Sequence, residues 1–169
     1  SRGNEGNADV RYPACYTDYQ VINVGASGTN GAYMDGTNGD SWWASSFGLS
    51  VDLVAPGTTQ IVSVPNNPNH PMHITASCST FGSNGEYECF NGTSSATPHV
   101  AGVAALMMSR HNTVLGYHNN LAPEDVEFLL QKYATDKGAT GYDDYNGFGL
   151  LNAGAVVAQL DSKQQGYRP

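Results

Sequence analysis

One stretch constrains this chain more than any other. From Asn91 to Arg110 it reads "NGTSSATPHVAGVAALMMSR", a small hydroxyl-rich turn that runs without a break into an apolar helix. The spacing predicts a helix over about residues 94–111, with Val100, Val103, Ala104, Leu106 and Met107 covering much of its surface. Such a helix is expected to be largely buried, so other layers must pack around it. Thr97 and Pro98 are expected in its first turn, where the missing proline N–H costs little.

The rest of the chain supplies those layers. "VINVGAS", Val21 to Ser27, and "SVDLVAPG", Ser50 to Gly57, are short apolar runs with β-branched residues and read as buried strands. "TQIVSVP" reads as a third, shorter strand, and "HITAS" and "EYECF" as the arms of a hairpin. A second helix starts at Pro123 and continues through "EDVEFLLQKYA", acidic early and with Lys132 late, as the helix dipole prefers. "GYDDYNGFGLLNAGAVVAQL" reads as a loop, a Gly-rich turn and a last helix from Asn152. Short strands alternating with helices, with no repeat and no linker, point to one α/β layered domain.

Charge narrows the function. The chain has 169 residues and a net charge of −8, with only 7 Lys and Arg against 15 Asp and Glu. Nucleic-acid binding and polybasic membrane attachment both need clustered cations, and these are lacking. No apolar run approaches the roughly 20 residues of a membrane-spanning helix. Cys78 and Cys89 flank the Gly-rich "CSTFGSNGEYEC" and read as a disulfide, which favours export; two buried thiols are the alternative. Cys15 is left over, either free or paired outside the chain.

Ser94 stands where the turn meets the helix. A serine before a helix is ordinarily a cap. It becomes a nucleophile only with a base to take its proton and donors to hold the oxyanion. A helix N-terminus, with its unpaired N–H groups and partial positive charge, supplies part of the latter. Gly92 lets another backbone approach closely.

"GTSSATPHVAG", Gly92 to Gly102, closely resembles the nucleophile motif of the subtilisin-like serine proteases, the subtilases, G-T-S-x-A-x-P-H-V-A-G. Other segments resemble that family in the right order. "GNEG" resembles its oxyanion loop and "RYPA" one wall of its P1 side-chain pocket. "VINVGAS" and "VDLVAPG" resemble the two strands that follow, and "GFGLLNAGAVVAQ" the closing turn and last helix. The spacing is nearest to the proteinase K-like branch. The resemblance implies the C-terminal part of a doubly wound parallel-sheet catalytic domain. Ser94 would be the nucleophile and Asn4 an oxyanion donor. Gly3, Tyr12, Pro13, Ala14, Gly92 and Thr93 would contact a polypeptide substrate. Asp52, with carbonyls between Tyr16 and Val21, would hold a structural calcium ion; no cofactor would be needed for catalysis.

The pattern also breaks. The family places its histidine in an H-G-T motif and its aspartate in a D-[ST]-G motif, and neither occurs here. None of the 5 histidines, His70, His73, His99, His111 and His118, is followed by glycine. In the resemblance His99 is structural. Residues 1–169 are therefore expected to be one part of a catalytic domain whose aspartate, histidine and substrate-binding strand lie upstream, and to be inactive alone. Two other readings remain: a non-catalytic domain of the same shape, and a sedolisin-type carboxyl peptidase, against which Asn4 and "PHVAG" speak. His70 and His73 read as surface loop rather than a metal pair and Asp35 to Asp40 as a turn, and the sequon at Asn91 is discounted because a glycan there would block the nucleophile.

Overall fold

The computed structural model describes residues 1–16, 21–58, 60–63, 87–114 and 121–161 of the chain. Two strands, β1 (Val24–Ser27) and β2 (Leu53–Pro56), pair in parallel with Val24 opposite Leu53 and Ser27 opposite Pro56. β3 (Gln60–Ser63) and β4 (Tyr87–Phe90) form a separate antiparallel pair, Gln60 opposite Phe90. Three helices follow: α1 (Thr93–Val114), α2 (Pro123–Lys132) and α3 (Ala153–Asp161). The parallel pair with helices packed on it is the α/β layering expected of a doubly wound sheet.

The core lies between β1–β2 and α1. Val24, Ala26, Leu53 and Ala55 meet Val100, Val103 and Met107 of α1, with Val126, Leu129 and Leu130 of α2 and Val156 and Leu160 of α3 completing the cluster. The closing turn is stitched to β2 by backbone bonds: Phe148 N–H donates to Asp52 O at 2.8 Å, Val54 N–H to Gly149 O at 3.0 Å and Leu151 N–H to Val54 O at 2.8 Å. Asn152 caps α3, its Oδ1 accepting the Ala155 N–H at 3.0 Å.

Two sequence expectations need correction. α1 is buried on one side only: Val100, Val103 and Met107 are buried, but Leu106 is 48% exposed and Ala101, Gly102 and Ala105 are open. No described element covers that face. Pro98 is the sixth residue of α1 rather than part of its first turn, because Gly92 O accepts from both Ser95 and Ala96 and starts the helix at Thr93. The strand from Tyr87 to Phe90 pairs with Gln60–Ser63; "HITAS", its expected partner, lies outside the described residues. So do Cys78, His70, His73 and His118, and with Cys78 the expected disulfide to Cys89. Among the described residues no helix is long and apolar enough to cross a membrane.

Candidate active site

Ser94 is the second residue of α1 and is exposed, while Thr93 and Ser95 on either side are buried. The chain reaches it from β4 through Asn91 and Gly92. Gly92 has φ +91°, a backbone conformation that L side chains rarely adopt, and its N–H is fixed to Gly57 O just beyond β2 at 2.8 Å. The end of the parallel pair thus aims the start of α1. The Ser94 N–H, one of the unpaired donors of a helix N-terminus, has no acceptor among the described residues.

Asn4 arrives from the other end of the sequence. Its Oδ1 accepts from the Thr93 N–H at 2.8 Å and from Thr93 Oγ1 at 3.0 Å. Thr93 Oγ1 in turn accepts the Gly3 N–H at 3.1 Å. A backbone N–H can only donate, so the amide orientation of Asn4 is decided: its oxygen accepts from Thr93, and its NH₂ is the other arm of the amide. A Cβ on Gly92 would stand 2.7 Å from Asn4 Nδ2, which measures how closely that amide lies against the turn carrying Ser94. The Asn4 amide thus lies against the turn that carries Ser94, whose own N–H is unpaired among the described residues.

The oxyanion loop and the "RYPA" segment share supports. Arg2 is 1% exposed, and its guanidinium donates to Asp9 O at 2.6 Å, to Phe47 O, and to Cys15 Sγ at 3.4 Å. Cys15 carries no disulfide, and its Sγ also accepts from the Arg11 N–H at 3.3 Å and Ser50 Oγ at 3.4 Å. Burial alone would push that thiol up; the Ser50 hydroxyl, the Arg11 N–H and the Arg2 charge together hold it below its ordinary value. Tyr12 and Pro13 are exposed and Ala14 is buried, so the segment has an outer wall and an anchored base.

The histidines described do not approach Ser94 as a base. His99 Nδ1 lies 2.8 Å from Ser95 O, a contact along its own helix. Asp52, the expected calcium ligand, has both oxygens engaged by N–H donors: Asn23 N–H on Oδ2 at 2.6 Å and Gln131 Nε2 on Oδ1 at 3.0 Å. Calcium wants a shell of oxygen ligands, and among the described residues no three Asp, Glu, His or Cys side chains converge. The carbonyls expected to join Asp52 at residues 17–20 lie outside the described residues.

The subtilase family model matches residues 1–149. The chain belongs to the subtilase family. The "intracellular serine protease" of Paenibacillus polymyxa is 30% identical over 168 residues, covering 96% of this chain and 42% of that protein. The "subtilisin" of Bacillus pumilus is 34% identical over 159 residues, covering 92% of this chain and 44% of that one. This subtilase chain thus spans less than half the length of either relative. Among solved structures, a lanthipeptide protease superposes with a TM-score of 0.76 at 23% identity, covering 94% of this chain and 49% of that one, and shares the fold. Fervidolysin from Fervidobacterium pennivorans, a keratinolytic enzyme related to subtilisin, superposes with a TM-score of 0.64 at 28% identity over 87% of this chain and 20% of its own.

The structure brings together Asn4 and the turn of Ser94, which the sequence expectation put in one site, and adds Arg2 and Glu5, which it did not name. Glu5 Oε2 accepts from the Asn4 N–H at 2.9 Å and Ser46 Oγ at 3.1 Å and pairs with Arg11 Nε at 3.3 Å. The "GNEG" string contained Glu5, but its partners lie in two other segments. Arg2 carried no motif, and its buried contacts are all non-local.

Proposed function

We propose that this subtilase chain carries the nucleophile and oxyanion half of a serine endopeptidase. Ser94 Oγ attacks the scissile carbonyl, forming a C–O bond as its proton passes to a histidine. The oxyanion is held by the Ser94 N–H and Asn4 Nδ2. Collapse breaks the C–N bond, the proton goes to the leaving amine, and water then hydrolyses the acyl-enzyme. Tyr12, Pro13 and Ala14 form one wall for the P1 side chain, with Gly3, Gly92 and Thr93 lining the turn beneath. The observation that carries this reading is the Asn4 amide, pinned oxygen-inward by Thr93 beside an exposed Ser94 at a helix start.

The histidine and its aspartate come, in this proposal, from sequence preceding residue 1. Two observations support it: His99 is engaged along its own helix, and the open apolar face of α1 suits further elements of the domain. The enzyme is placed outside the cell on the reading of Cys78 and Cys89 as a disulfide, which thiol titration of the denatured protein checks.

The test compares residues 1–169 alone with the same chain joined to the segment that carries the aspartate and histidine. The longer protein should hydrolyse peptides and be labelled at Ser94 by a fluorophosphonate, with Ser94→Ala as the dead control. The shorter should do neither, because a serine without its base retains only about 10³–10⁴-fold over water. A longer protein that binds peptides without cleaving them would mark a non-catalytic domain instead.

A further inference from the structure

We propose that Arg11 receives the substrate's P1 side chain, and that the enzyme therefore cleaves after acidic residues. The inference rests on the protease reading above and names its substrate class. If Asn4 Nδ2 and the Ser94 N–H hold the scissile carbonyl oxygen, the P1 Cα lies one bond, about 1.5 Å, from that carbonyl carbon. The P1 side chain must then leave from beside the Asn4 loop, and the charged groups there select it.

Arg11 is placed at that spot from three directions. Its Nε pairs with Glu5 Oε2 at 3.3 Å, and the same oxygen accepts the Asn4 N–H at 2.9 Å. Its side chain lies over Gly3, where a Cβ would stand 3.1 Å from Arg11 Cδ. Its backbone is clamped by Cys15, whose N–H donates to Arg11 O at 2.9 Å and whose Sγ accepts the Arg11 N–H at 3.3 Å. The guanidinium thus lies beside the Glu5 oxygen that accepts the Asn4 N–H, on the segment read as a wall of the P1 site.

The balance of charge favours the cation as the receptor. Glu5 Oε2 is shared among Asn4 N–H, Ser46 Oγ and Arg11, so this oxygen is already occupied. Arg11 spends only Nε on the pair. Its two terminal nitrogens, with four N–H groups in one plane, have no partner among the described residues. That fork matches a carboxylate in the two-point geometry for which arginine is suited. The Glu5–Arg11 pair is 46% and 43% exposed, and solvent screening leaves it too weak to hold the guanidinium back from a substrate. A lysine at P1 would instead meet the free end of a cation.

The experiment uses the complete active enzyme and a series of peptide anilides that differ only at P1: Glu, Gln, Leu and Lys. A digest of a denatured protein, mapped by mass spectrometry, reads the same preference without presuming the other subsites. Glu should exceed its isostere Gln by about 10–10²-fold in kcat/KM, the range for a charge-assisted hydrogen bond. Arg11→Gln should bring the Glu-to-Gln ratio to about one, and Arg11→Glu should make Lys the better substrate. The ratio within each variant cancels any general damage. Brisk cleavage with Glu and Gln equal, or with Lys preferred by the unaltered enzyme, would overturn the role of Arg11 and leave the protease reading standing. Failure to cleave any peptide, with no labelling of Ser94, would overturn both.

Discussion

Asn4 and Thr93, 89 positions apart in the chain, are joined by two hydrogen bonds to one oxygen: the Thr93 N–H at 2.8 Å and its Oγ1 at 3.0 Å. Thr93 thus fixes the orientation of the Asn4 amide. Asn4→Ala in the active enzyme should lower kcat by about 10²–10³-fold with KM little changed. Thr93→Val removes one of the two bonds and should lower kcat by about fivefold, the value of one ordinary hydrogen bond. The double variant should be no slower than Asn4→Ala by more than about twofold, since residues in one network do not add. Full additivity in steady-state kinetics would mean that Thr93 works through something other than Asn4.

Gly92 sets how near that amide can come. Its φ of +91° and the 2.7 Å from a would-be Cβ to Asn4 Nδ2 make alanine unwelcome twice, once in the backbone and once against the amide. Gly92→Ala should destabilise the fold by about 1–3 kcal/mol in urea unfolding. It should also reduce kcat by more than Thr93→Val does, because the amide itself is displaced. An unchanged midpoint together with an unchanged kcat would show that the turn accommodates a side chain.

Much of this site was legible because its central parts are contiguous. Ser94, Thr93 and Gly92 lie within one turn, and the helix after them has an unmistakable apolar pattern. Strands β1 and β2, α2 and the start of α3 near Asn152 follow from local signals of the same kind. What could not be read was non-local. Arg2 looks like an exposed terminal residue in the sequence, yet it is buried because carbonyls from Asp9 and Phe47 converge on it. The partners of Asp52, Asn23 and Gln131, are 29 and 79 positions away and carry no signal in the sequence. The one-sided burial of α1 was missed for a different reason. Small residues such as Ala101, Gly102 and Ala105 read as buried in the sequence whether or not anything covers them.

That one-sidedness makes neighbouring positions on α1 behave oppositely. Met107 is fully buried, whereas Leu106 is 48% exposed. Met107→Ala should cost about 2–5 kcal/mol in chemical denaturation, the range for a large-to-small core change. Leu106→Lys should stay within about 0.5 kcal/mol in residues 1–169, as at an ordinary surface position. In the complete enzyme the same Leu106→Lys should become costly if further elements cover this face. Equal and small effects in both proteins would leave the face open to solvent in the enzyme as well.

Asp52 gives the stability a pH dependence of definite sign. Burial foremost, with the nearby Glu127 charge adding to it, pushes its carboxyl from 3.8 up to about 6, against the lowering effect of the Asn23 N–H and Gln131. The folded state therefore holds this proton more tightly than the unfolded chain. The contribution is fully present below about pH 4 and is lost as the pH rises through about 6, after which it is flat. Its size is on the order of 2 kcal/mol across that window. Asp52→Asn keeps an acceptor for the Asn23 N–H and removes the titration; Gln131 can turn its amide to accept from the new one, giving up its bond to Glu127. Urea midpoints between pH 4 and 7 should fall for the unaltered chain by the Asp52 contribution and fall less for the variant. A chelator should leave both curves in place, because the described oxygens of Asp52 face N–H donors rather than an ion. A calcium-dependent rise in the midpoint that Asp52→Asn abolishes would instead make Asp52 a calcium ligand and reverse the expected slope.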